Sequence, residues 1–112
     1  FPKTLLVMTN SVIGILRDSV KAFGQADAPL ARSVLASEGA VLKFNDLIVR
    51  DAEERVADGR MSVEVAFELH AIAFQAVTMG DHCTNIAEQV IDESTGQIVR
   101  HTKGEWVQLP NP

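Results

Sequence analysis

The stretch Met79-Gly80-Asp81-His82-Cys83-Thr84-Asn85-Ile86-Ala87-Glu88-Gln89-Val90-Ile91 is polar at intervals of three and four, so Asp81, Thr84, Asn85 and Glu88 share one side of a helix. Followed back towards the N-terminus, that side carries Ala66, His70, Ala73, Phe74 and Val77. A face that is apolar for several turns and then turns to carboxylate, hydroxyl and amide either leaves the core there or carries a site into it. The helical period runs from a capping Ser62 to about Glu93, ahead of Thr95-Gly96, and the rest of the chain is arranged around it.

Two more helical segments precede it. The first is predicted from about Pro2 to Phe23, with Leu5, Val12, Ile13, Leu16, Val20 and Phe23 at helical spacing and Gly24 as the stop. Asp27-Ala28-Pro29 reads as cap, opening residue and first-turn proline of a second helix that continues to about Ala57, where Asp58-Gly59 ends it. Gln97 to Pro112 holds no sustained period. Short connections make neighbouring helices antiparallel. The expected fold is therefore all-α: an up-down-up antiparallel three-helix bundle of long helices over residues 1–96, followed by an irregular C-terminal tail over 97–112. Helices of ~22 to 31 residues would be ~33 to 46 Å long, slender for one domain, and slender bundles lie against something else.

A chain of 112 residues supports one hydrophobic core. Its net charge of −5 argues against a nucleic-acid partner, and no apolar run is long enough to insert in a membrane. The lone Cys83 excludes an internal disulfide and fits a reducing cytoplasm. No signal-peptide pattern heads the sequence, and a first residue Phe1 leads us to expect a segment of a longer chain or a processed form.

Counting outward from the two turns puts Glu38 level with about His82 and Gly14, so Gly14, Gly39 and Gly80 fall at one height, as if backbones approached closely or room were left there. Glu38 lies between Val34 and Leu42, inside the apolar arc of Leu30, Val41, Ile48 and Val49, where a carboxylate needs a partner. Asp81, His82 and Asn85 are the candidates, with Asn45 further along the same face, and a polar layer inside the bundle is expected.

Glu38 and Asp81 would offer a metal ion two oxygens, with His82 or Glu88 as third ligand, but the Glu-x-x-His pairs of di-metal bundles are absent. His70 reads as a structural histidine on the core-facing side, and His101 opens the tail. There is no glycine-rich phosphate loop and no nucleophile with a base beside it, so the chain does not read as an enzyme. Cys83 reads as a small buried hydrophobe on the face opposite Asp81. The stripe Ile72, Met79, Cys83, Ile86 and Val90 makes the third helix apolar on a second side, more than two neighbours require, and marks a surface for another bundle.

Gly80 to Glu88, followed by Thr95-Gly96 and Val99-Arg100-His101, resembles the PhoU family; the likeness extends more weakly through Ala22-Phe23, Asp27 and Ala31 to Val34. The resemblance implies one of two tandem three-helix bundles, the second repeat of the family, with the stripe meeting the other half or, in a homodimer, a second copy. It further implies a cytoplasmic negative regulator linking the phosphate ABC transporter to a membrane sensor histidine kinase. Some members hold iron or zinc through Glu/Asp-x-x-x-Asp motifs. Those motifs fall here on Glu38 and Leu42 and on Val77 and Asp81, each with one acid kept and one lost, and Phe74 takes the place of a usual arginine. As a cofactor, a divalent or ferric ion would have Glu38, Asp81 and water. The other readings are a metal-binding bundle with no catalytic role and a structural dimerisation domain.

Overall fold

Pro2, extended and without an N–H to leave unpaired, opens helix α1 (Lys3–Gln25) in the computed structural model, which describes residues 2–96, 98–102 and 105–109. The end of α1 differs from the expectation. Gly24 stays helical, and the stop is Ala26, left-handed at φ 51°. The Asp27 N–H donates to the Ala22 carbonyl at 2.9 Å and the Ala26 N–H to that of Phe23 at 3.4 Å, the paired closure of a Schellman turn. Asp27 then caps α2 (Ala28–Ala36), its Oδ1 accepting from the Leu30 N–H at 3.0 Å.

The single second helix expected from the sequence breaks at Ser37, and α3 (Glu38–Ala57) begins beyond it. Ser37 Oγ donates to the Ser33 carbonyl at 3.0 Å and Ser33 Oγ to that of Pro29 at 3.3 Å. Hydroxyls bonding back into the helix beside a glycine, Gly39, loosen the ladder and bend it. Ser37 keeps right-handed angles, so α2 and α3 form one bent leg. Gly59, at φ 76°, turns the chain, and Ser62 caps α4 (Val63–Thr95) through the Val65 N–H at 3.2 Å. The 33 residues of α4 span ~50 Å, most of the 55 Å long axis, and end on left-handed Gly96.

The three legs α1, α2–α3 and α4 pack pairwise, giving the up-down-up bundle. Ser94 Oγ donates to the Ala26 carbonyl at 3.3 Å, tying the C-terminal ends of the parallel α1 and α4. The expected irregular tail is instead an antiparallel hairpin, β1 (Ile98–Thr102) paired with β2 (Glu105–Leu109), Thr102 opposite Glu105. Two residues separate the strands, and the β-branched and aromatic content of Ile98, Val99, Thr102, Trp106 and Val107 suits extended backbone better than a helix. Among the described residues, no helix is long and apolar enough to cross a membrane.

On α1 the buried residues are Leu5, Met8, Val12, Ile15, Ser19 and Ala22, a strict three-four alternation. On α4 the line runs Leu69, Ala73, Ala76, Gly80, Cys83, Ala87 and Val90, mostly small, with Ala76 partly buried. The face expected for α1 is therefore corrected. Leu5 and Val12 are inside, but Ile13, Leu16, Val20 and Phe23 are exposed, because a narrow seam takes Ser19 and Ala22 where the bulkier residues would not fit. Val34, Val41 and Ile48 are buried as expected, whereas Leu42 is exposed.

Replacing Gly24 by alanine inside α1, where no atom lies within 4 Å of the added Cβ, is expected to stabilise the fold by about 1 kcal/mol, and Ala26→Gly by about the same amount. Thermal unfolding followed by circular dichroism measures both; a lower midpoint for Gly24→Ala would restore Gly24 as the helix stop.

Candidate functional site

Because the second leg bends at Ser37, Glu38 is the opening residue of α3, where the helix dipole favours a carboxylate. Facing it across the groove, α4 brings Val77, Gly80, Asp81 and Thr84. Together with Ile15, Val41 and Leu42 these residues line a cavity of about 10 Å³, room for a single water at most. The heights counted from the sequence therefore hold: Glu38, Asp81 and the neighbour of Gly14 meet at one level.

The polar layer does not form as expected. Glu38 is half-buried, but Asp81, His82 and Asn85 are exposed, so the acids meet at the rim between α3 and α4 rather than in an enclosed polar layer. Thr84 is buried and donates from Oγ1 to the Asp81 carbonyl of its own helix at 2.8 Å. Asn45 is half-buried, its Oδ1 shut off from solvent with no hydrogen-bond partner among the described residues. The three glycines do not mark a close approach either. A Cβ on Gly14 or Gly39 would meet nothing within 4 Å, and one on Gly80 would touch Val41 Cγ1 at an ordinary 3.8 Å.

Leu42 and Val77 line the same small cavity as Glu38 and Asp81, so half of this quartet is aliphatic. No group of three or more His, Cys, Asp or Glu side chains is placed to share an ion among the described residues. Two carboxylates fall short of the six or more oxygens a hard cation collects, and the rest would have to be water. His70, expected as a structural histidine, is instead exposed at the edge of a second groove. His101 falls in β1, its backbone opposite that of Trp106.

The predicted interaction stripe divides. Cys83 and Val90 belong to the core, Ile86 packs partly against it, and Ile72 and Met79 are 44% and 45% exposed. What the sequence reading missed is that the outward part continues as a seven-residue repeat, Val65, Ile72, Met79 and Ile86, and that α1 carries another, Leu6, Ile13 and Val20. On α1 the residues approaching α3, Thr4 and Ile15, stand on one side of the buried line and the stripe on the other, so it borders α4. On α4, Ala66 and Val77 mark the α3 side and Ile72 and Met79 the α1 side. The two repeats therefore share one face of the bundle.

A second groove was also missed. Between the C-terminal half of α3 and the N-terminal half of α4 lies an open hollow of about 480 Å³, walled by Ile48, Val49, Ala52, Val56, Val63 and Phe67. Its signal in the sequence is Val63, Phe67, His70 and Phe74, spaced four, three and four on one side of α4.

The model of the PhoU domain matches residues 5–90, from the first core residue of α1 to the last turns of α4. The chain belongs to the PhoU family. The match takes in all three legs of the bundle and leaves the hairpin outside. The chain is similar to a protein of Thermotoga maritima called phosphate-specific transport system accessory protein PhoU homolog 1, with 32% identity over 95 residues. That alignment covers 85% of this chain but 41% of the relative, so the PhoU bundle described here spans about two fifths of the relative's length. No solved structure gives a significant match.

In this PhoU bundle Cys83 is 1% exposed and packed in the α4 seam. Its thiol is expected to resist an aromatic disulfide reagent in the native protein and to react at once in denaturant. Rapid native labelling would contradict the assigned face of α4.

Proposed function

We propose that this PhoU-type bundle is a cytoplasmic regulator of phosphate uptake and phosphate-starvation signalling, acting by contact rather than catalysis, with the phosphate ABC transporter and its sensor histidine kinase as partners. The observation that carries the reading is the family match over residues 5–90, together with a relative described as a phosphate-transport accessory protein. The surface supports a protein that works by contact. The α1–α4 face leaves Leu6, Ile13, Val20, Ile72 and Met79 exposed at a coiled-coil period, and such residues lower their free energy by packing against another helical layer. The occupant of this face is a second PhoU bundle, either the other repeat of a longer chain or a second copy in a homodimer.

Loss of the gene in phosphate-rich medium is expected to switch on starvation-responsive transcription, and an unchanged reporter would overturn the assignment. For the α1–α4 face, Met79→Glu combined with Val20→Glu should turn an associated species into a monomer with unchanged helix content, read by light scattering after size exclusion. An assembly that survives both charges would move the contact elsewhere.

One observation favours a second reading, a weak two-carboxylate cation site: Glu38 and Asp81 line the same cavity. Metal analysis after equilibrium dialysis against a divalent or ferric salt decides it. Metal retained by the unmodified protein and lost from Asp81→Ala supports the site, and equal, negligible metal in both removes it.

A further inference from the structure

We propose that the groove between α3 and α4 docks a cationic amphipathic helix from a partner protein. This face is separate from the α1–α4 stripe and would be used whether or not that stripe is covered. The hollow of about 480 Å³ is walled almost wholly by aliphatic side chains and Phe67, itself 71% exposed. The apolar track does not stop at the hollow: Phe74, 60% exposed, extends it along α4, and exposed Leu42 extends it along α3. From Val63 to Phe74 the track is ~16 Å long, three helical turns, which matches a partner helix presenting apolar side chains at i, i+4, i+7 and i+11.

Charge selects the partner. Glu53 stands in the wall of the hollow, and Asp46, seven residues earlier, is on the same side of α3. Glu64 precedes Phe67 by one turn on α4, and Asp81 follows Phe74 by seven residues on the same side of that helix. Asp46, Glu53, Glu64 and Asp81 are all exposed. The nearest cations of α3, Lys43 and Arg50, stand further round that helix than Asp46 and Glu53, three or four residues from them, and neither lines the hollow. An apolar channel edged by carboxylates fits lysines and arginines flanking an apolar helix stripe, which steer the encounter while the stripe supplies the contact.

The test titrates the full chain into a fluorescein-labelled peptide of about 14 residues, with leucines along one face and lysines at its edges. A control peptide has the same composition in an order that scatters the leucines. Anisotropy is expected to show binding of the first peptide and not the second. Phe67→Ser with Phe74→Ser should weaken binding by about tenfold or more, and Glu53→Lys with Glu64→Lys should weaken it and flatten its salt dependence. All four positions are exposed, and circular dichroism checks that each variant keeps its helix content. Equal binding of the scattered peptide, or unchanged affinity in both variants, overturns the proposal. So does self-association of the unmodified chain that disappears in the Phe67→Ser, Phe74→Ser variant, because the groove would then belong to a second copy.

Discussion

The seam of α4 is built from small residues, and the rest of the molecule follows from that. Ala73, Ala76, Gly80 and Ala87 share the buried line with Leu69, Cys83 and Val90, so this helix sends few large side chains into the core. Short side chains make a thin interior. Met8 and Ile91 fill it where there is width, and Ser19 and Ala22 where there is none. The chain is nevertheless rich in large aliphatic and aromatic side chains, and those the seam cannot hold stand outside in two tracks. The thin interior and the exposed apolar tracks thus have one cause.

Four helix boundaries were legible in the sequence because capping is local chemistry, while the stop of α1 at Ala26 was not. Asp27 and Ser62 accept the N–H groups their positions foretold, and Gly59 and Gly96 adopt the left-handed angles that end a helix. The face of α1 was not legible. Two apolar stripes lie side by side on that helix, and periodicity cannot tell which of them meets a thin seam of alanines. The break at Ser37 was hidden for a similar reason, since a serine bonding to its own helix leaves no mark in a hydrophobic pattern. In the hairpin, a few β-branched and aromatic residues carried too short a signal to outweigh the flanking Gly and Pro.

At the candidate site, height was readable and depth was not. Counting from the turns brought Glu38 and Asp81 together, but rotation about each helix axis, which the count ignores, decides that they meet at a rim. Leu42 and Val77 line the same small cavity as Glu38 and Asp81, so half of what surrounds the two acids is aliphatic.

The Ser37 bend has a consequence for how the rod comes apart. A helical ladder opens cooperatively up to a discontinuity and stops there. With one leg divided, α2 and the ends of α1 and α4 it touches make one unit of opening, and α3 with the opposite ends makes another. Glu38 stands at the boundary between them and the groove beyond it lies wholly on the α3 side, so whatever occupies that groove grips one half of the bundle and leaves the other free to breathe.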